Sequence, residues 1–205
     1  ADGGTATASP SAASLATAAA TAETADGTQD TSASTDASEQ FTDRDQEADY
    51  DEADSVSITL SDSGSSCVSN AVSIEGSTVT ITDAGCYILT GSLSDGQIVV
   101  DAEDSDKVQL VLKGVSVCNA NSAALYVKQA DKVFVTLAAD TENSLKNGGS
   151  YVAVDENKID AAVFAKDDLS FSGTGSLTIE AAAGHGVAAK DDLVVAGGSY
   201  TIVAA

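Results

Sequence analysis

The sequence predicts an all-β fold in which short coils of chain stack into a parallel β-helix, and three observations point there. First, residues 160–183 (DAAVFAKDDLSFSGTGSLTIEAAA) are followed at once by a near-copy, residues 184–205 (GHGVAAKDDLVVAGGSYTIVAA). Lys166 matches Lys190, Asp167 matches Asp191, Asp168 matches Asp192 and Leu169 matches Leu193, each at an offset of 24 residues. A fixed period of this length, built from strand-forming residues, marks stacked β-repeats whose units bury their apolar faces only against one another. Second, older turns persist with drift. Residues 123–137 (AALYVKQADKVFVTL) supply Lys128 and Asp131, and residues 97–117 (QIVVDAEDSDKVQLVLKGVSV) put Asp101 in the lysine position and close their corner with Asp106 and Lys107. Third, aromatics make up 4% of the chain, Met and Trp are absent and Pro occurs once. The small and β-branched residues that remain suit closely stacked strands around a narrow interior.

Residues 1–54 differ in kind. They are built of Ala, Thr, Ser, Gly and acids, and carry 13 acids against the single Arg44, a net of -12. The rest carries 19 acids and eight lysines, a net of -11. So little apolar surface cannot offset the entropy of ordering, and a disordered acidic tether is expected over 1–54. No signal peptide is recognisable. A polar start is what removal of one leaves, so the expected location is extracellular, secreted or tethered to the cell surface, in the manner of a lipoprotein.

From Ser55 the pattern turns to alternation. SVSITL, AVSIEG, STVTITDAG and CYILTGSL read as short strands, with Val79, Ile81 and Ile88 half-buried. Residues 55–95 are expected to cap the first open edge, with repeat coils over 96–205. Residues 139–159 hold Gly and Asn in turn settings and are expected to leave one corner as a loop. The pattern reaches Ala205 without a second cap, so the natural protein is expected to continue.

The formal net charge of -23 excludes nucleic acid as a partner, because that needs a basic footprint. No run of about 18 apolar residues is present to span a membrane. A monomer is expected. Cys67, Cys86 and Cys118 form no CxxC, and with the single His185 they give no zinc spacing. Two alternatives stay open for them: one disulfide plus one thiol, or three small buried hydrophobes.

In-register stacking puts matched residues about 4.8 Å apart, so each becomes a column. Alternation along VFAKDDLSF points Val163, Ala165, Leu169 and Phe171 inward and Phe164 and Lys166 outward. Asp167 and Asp168 fall at the bend, beside Asp191 and Asp192. Like charges at that spacing cost roughly 1 kcal/mol in water and roughly 3 to 4 when half-buried. Calcium, with six to eight oxygen ligands drawn from flexible loops, is the favoured neutraliser. A Lys–Asp ladder through Lys166 and Lys190 is the alternative. Asp104, Asp106, Asp131, Asp155, Glu156 and Asp160 are weaker candidates. There is no EF-hand loop and no strict RTX nonapeptide.

The segments TDAGCYILTGSLSDGQIVVDA, KVQLVLKGV, ALYVKQADKVFVTLA and TENSLKNGGSYV, with the paired KDDL coils, resemble a family of secreted bacterial carbohydrate-binding modules. The resemblance covers about residues 55–205. It implies a right-handed parallel β-helix like that of polysaccharide lyases, calcium held by corner aspartates, and an acidic plant polysaccharide such as polygalacturonate as ligand. Metal roles carry over to Asp167, Asp168, Asp191 and Asp192, and less firmly to Asp131 and Asp160. Cys86 departs from the family, standing where a small polar residue is expected.

The favoured function is a non-catalytic, calcium-dependent module for pectin-like polysaccharide, with Lys128, Lys166 and Lys190 pairing uronate carboxylates and Tyr126 and Phe164 as outward aromatics. A calcium-dependent lyase is the runner-up. It needs a base to take the C5 proton and a cation to acidify it, with Lys166 or Lys190 as that base. A structural surface stalk is the third reading, and it needs neither lysine column nor metal.

Overall fold

A computed structural model describes residues 41–153 and 155–205, and these form a parallel β-helix. A short α-helix, α1 (Asp43–Gln46), precedes β1 (Val56–Leu60) and β2 (Val72–Glu75). Five coils follow. The first holds β3 (Thr78–Ile81) and β4 (Gly85–Leu93), and the second holds β5 (Gln97–Asp101) and β6 (Lys107–Asn119). The third holds β7 (Leu125–Gln129), β8 (Lys132–Leu137) and β9 (Glu142–Asn147). The fourth holds β10 (Ala161–Ala165), β11 (Asp168–Gly173) and β12 (Ser176–Ala181), and the fifth β13 (His185–Ala189), β14 (Leu193–Val195) and β15 (Ser199–Ala204).

The coils stack into three faces. Face one is the parallel run β3, β5, β7, β10, β13, with β2 antiparallel beside β3. Face two stacks the first parts of β4 and β6, then β8, β11 and β14, with β1 beside β4. Face three stacks the second parts of β4 and β6, then β9, β12 and β15. β6 serves both faces because Gly114, at φ +76, turns it through the corner. Connections from strand through crossover to parallel strand are right-handed in about 98% of cases, the hand expected here.

Alternation places the core. Val133, Val135 and Leu137 of β8 point inward, as do Leu169 and Phe171 of β11, and all join one continuous apolar column. Phe171 meets Tyr200 of the fifth coil edge-on at 5.8 Å. The 24-residue repeat is seen directly as register, Ala165 on Ala189 and Leu169 on Leu193. On face three Leu177 pairs with Tyr200, so the corner before β15 is one residue shorter.

Four expectations are corrected or refined. The tether was expected to reach Asp54. Its residues 1–40 lie outside the described residues, but residues 41–54 form a strap laid over face two. Thr42 caps α1 reciprocally with Asp45, and Tyr50 packs on Ile88, Val111, Cys86 and Ala138. An average over an acidic segment hides such anchors. Residues 55–95 are only partly a cap: β2 closes an edge, while β3 and β4 make the first coil. The insertion expected at 139–159 begins with β9, the third face of its coil, so the true excursion is 148–160. All three cysteines are free and half-buried, Cys67 against the main core and Cys86 under Tyr50. Among the described residues no α-helix is long and apolar enough to cross a membrane.

The strap has one buried ionic anchor. The Asp45 carboxylate is 1% exposed and lies 2.8 Å from the Lys132 ammonium. Burial pushes this carboxyl upward. Lys132, the hydroxyl and amide of Thr42 and the Ser170 hydroxyl outweigh that and hold it down at about 2, against an ordinary 3.8. A depressed carboxyl contributes stability that is present above its unfolded value and is lost as pH falls through its folded one. Strap docking should therefore be complete above about pH 4 and be released toward about pH 2. Hydrogen exchange across residues 41–54 should accelerate in that window before the coils open, and Asp45→Asn should flatten the pH dependence. Equal protection at both ends of the window would count against this anchor.

Candidate functional site

The corner between faces one and two carries the chemistry. Ala165 of β10 lies between Val127 of β7 and Ala189 of β13, so the next residues, Lys128, Lys166 and Lys190, form the expected column along the stack. Lys128 is tied down, its ammonium 2.6 Å from Asp101. Lys166 and Lys190 are exposed, and among the described residues neither forms an ion pair. The Lys190 ammonium lies 5.6 Å from the centre of the Phe164 ring.

The acid columns differ from the simple repeat. Asp168 stacks on Lys132, and Lys132 on Lys107, so face two opens with two lysines below the acids Asp168 and Asp192. Lys107 reaches sideways to Asp131 at 3.3 Å, both groups half in water. Such a pair contributes about 0 to 1 kcal/mol. The Asp167 carboxylate accepts the Ala130 amide at 3.1 Å, and that of Asp168 accepts the Asp192 amide at 3.2 Å. Backbone donors thus take up part of the repulsion that the repeat implies. Asp191 and Asp192 are exposed. Asp160 is not at this corner: it precedes β10 and Lys166 follows it, six residues or about 20 Å further along the extended chain.

Among the described residues no three acids, histidines or cysteines converge tightly enough to hold a metal. Asp167 and Asp168 with Asp191 and Asp192 offer an open pair of carboxylate pairs. A hard cation there would complete its shell with backbone oxygens and water, as calcium does at flexible loops. The donor set fits that surface arrangement and does not fit a closed cage.

Tyr126 and Phe164 are corrected as ligand platforms. They occupy matched outward positions, 5.9 Å apart, yet are 2% and 1% exposed. Ile159 and Tyr151, from the excursion between β9 and β10, pack over them and complete a second apolar cluster. The Tyr126 hydroxyl donates to Asp155 at 2.6 Å and accepts from the Asn157 amide at 2.7 Å. Burial and then Asp155 hold that hydroxyl above its ordinary range. Burial raises the Asp155 carboxyl, but Tyr126, Asn157 and Lys128 outweigh it and leave the group below its usual value. Asp155 is therefore a structural acceptor. Glu156 and Asp104 are exposed, and Asp106 caps its own loop through the Glu103 amide.

Two polar surfaces were not singled out from sequence. Face three carries a hydroxyl column, Ser116, Ser144, Thr178 and Thr201, in a shallow trough of about 500 Å³ beside the Lys146–Glu180 pair at 2.9 Å. Its signal was one hydroxyl residue in β9 (Ser144) and alternate ones in β12 (Ser176, Thr178) and β15 (Ser199, Thr201). Face two carries Gln109, Thr136, Ser170 and Ser172 beneath the strap, all buried.

Comparison with known proteins bears on this geometry. A protein from Acetivibrio thermocellus, described as a carbohydrate-binding domain-containing protein, is 36% identical over 137 residues, which are 66% of this chain and 48% of that one. A solved polysaccharide lyase-like protein from C. thermocellum, a gadolinium derivative, superposes with a TM-score of 0.70 at 33% identity, covering 73% of this chain and 62% of that one. This chain thus spans about half the length of the curated relative it matches. Residues 75–205 match the family described as carbohydrate-binding domain-containing protein, and with well over half of its length inside that match the chain belongs to this family.

Proposed function

We propose that this domain binds acidic, polygalacturonate-like polysaccharide without cleaving it, at the corner of Lys166, Lys190, Asp167, Asp168, Asp191 and Asp192. The observation that carries the reading is the pair of exposed lysines, stacked in register and unpaired among the described residues, beside four corner acids. Exposed ammonium groups at coil spacing suit a polymer with a carboxylate on each sugar. Neutral glycans are held mostly by aromatic platforms, and at this corner Tyr126 and Phe164 are buried.

Calcium is the second part of the proposal. In a chain of net charge -23, a polyanion is repelled at long range, and a divalent ion shared between corner acids and uronate would offset that locally. The gadolinium of the solved relative is a hard cation of the kind that prefers oxygen ligands. An open, water-completed site belongs with the weak extracellular calcium modules, for which dissociation constants of about 10⁻⁴ to 10⁻³ M are usual.

The test is immobilised polygalacturonate against a neutral glucan, with calcium and with chelator. Retention on polygalacturonate alone, strengthened by millimolar calcium, is expected. Asp167→Asn with Asp191→Asn should remove the calcium increment. Equal retention on the neutral glucan would sink the acidic-ligand reading, and a response to calcium that survives the double variant would move the metal elsewhere. Formation of unsaturated uronide at alkaline pH would make the domain a lyase.

A further inference from the structure

Face two carries a line of outward polar side chains that the chain's own residues 41–54 cover. The outward side chains Gln109, Phe134, Thr136, Ser170 and Ser172 are each 5% exposed or less. Outward polar residues of a β-helix ordinarily meet water, and here the strap covers them. A hydrogen-bonded line crosses three coils: the Gln109 amide donates to Thr136 at 3.0 Å, and Thr136 meets Ser172 at 3.3 Å. Both ends of the line reach the strap backbone, Gln109 at the Asp49 carbonyl and Ser172 at the Glu47 carbonyl.

The strap has the chemistry of a polyanion. Residues 43–54 hold seven acids and one arginine. Two of the acids end on lysines of the coils, Asp45 on Lys132 at 2.8 Å and Glu52 on Lys113 at 2.5 Å. The segment spans the stack, touching Ser172 on the fourth coil through Glu47 and the second and first coils through Asp49 and Tyr50, with successive coils about 4.8 Å apart. A cover needed only for stability would bury apolar side chains. Tyr50 does so, but the strap otherwise meets face two through the carboxylates of Asp45 and Glu52, the carbonyls of Glu47 and Asp49, and the Arg44 guanidinium, which donates to Gln109 at 2.9 Å. Beneath it the Phe134 ring has the Arg44 guanidinium carbon over it, 4.7 Å from the ring centre. An exposed ring at this place would be the sugar platform that Tyr126 and Phe164 cannot be.

We infer that face two is a binding surface for an anionic polysaccharide, and that residues 41–54 occupy it as an intramolecular stand-in which the polysaccharide displaces. The inference rests on the acidic-polysaccharide reading above and extends it from the corner onto the adjoining face.

The experiment uses the full chain and polygalacturonate as probe. The variant Asp45→Asn with Tyr50→Ala frees the strap. Hydrogen exchange across residues 41–54 confirms release, and an unchanged β-sheet circular dichroism spectrum confirms folding. Arg44→Ala, which keeps the Asp45–Lys132 pair, is the milder second variant. Affinity should rise about ten-fold in the freed protein and fall back when Lys132→Ala and Lys113→Ala are added. In the parent, saturating oligogalacturonate should accelerate exchange in the strap. A freed strap with affinity unchanged from a binding parent overturns this inference alone and leaves the corner reading standing. Binding seen only after release supports face two and removes the corner. Absence of binding in both proteins overturns both.

Discussion

Gly173→Ala is expected to destabilise the coil stack by about 3 to 5 kcal/mol, while Gly114→Ala costs only about 1 to 2. Both glycines turn the corner from face two to face three with positive φ, +99 at Gly173 and +76 at Gly114. Their surroundings differ. A β-carbon at Gly114 meets nothing within 4 Å, so alanine there bears only the left-handed backbone strain. At Gly173 it would lie 2.2 Å from the Leu137 carbonyl oxygen and 2.7 Å from the Leu137 amide nitrogen, backbone of the coil below. Neither atom can swing away without breaking the parallel ladder between β8 and β11. Each kcal/mol shifts the midpoint of a domain this size by about 2 to 4 °C, so thermal melts should separate the two variants by roughly 5 to 10 °C. Similar midpoints would mean that the coils do not approach as closely as this register requires.

The register itself was legible in the sequence. KDDL recurring after 24 residues fixed Leu169 on Leu193, and the drifted copy around Lys128 fixed Ala165 over Val127. Repetition carries that information because stacked coils translate sequence period into spatial column. What covers a column was not legible. Alternation correctly turned Phe164 outward, but outward is not exposed: Ile159, from a segment read as loop, closes over it. β9 was hidden for a related reason. Face three is open, so its ENSLKN strand shows hydroxyls and charges in place of the apolar run that marks a buried strand. The strap was lost to averaging. A segment with seven acids in twelve residues looks too polar to fold, yet Thr42, Asp45 and Tyr50 are three specific anchors. The Thr-x-x-Asp spacing was the only local sign of it.

Replacing both Lys166 and Lys190 by alanine is expected to weaken binding to polygalacturonate about ten-fold, and Lys128→Ala to weaken it much less. The difference follows from what each ammonium already touches. Lys128 is held 2.6 Å from Asp101, so a uronate must compete with a partner that is always present. Lys166 and Lys190 project from the next two coils with no ion pair among the described residues, and so contribute the full attraction to a carboxylate. An exposed pair is worth about 0.2 to 1 kcal/mol, and two acting together on one polymer give the expected loss. Raising the salt to about 1 M contracts the screening length to about 3 Å and should bring parent and variant together. A calcium bridge through the corner acids would keep part of the binding in the double lysine variant, and chelator should then remove the remainder. Equal effects from all three lysines would indicate that the ligand reads overall charge and not the geometry of the column. Full binding by the double variant, in low salt and with chelator, would take the site away from this corner.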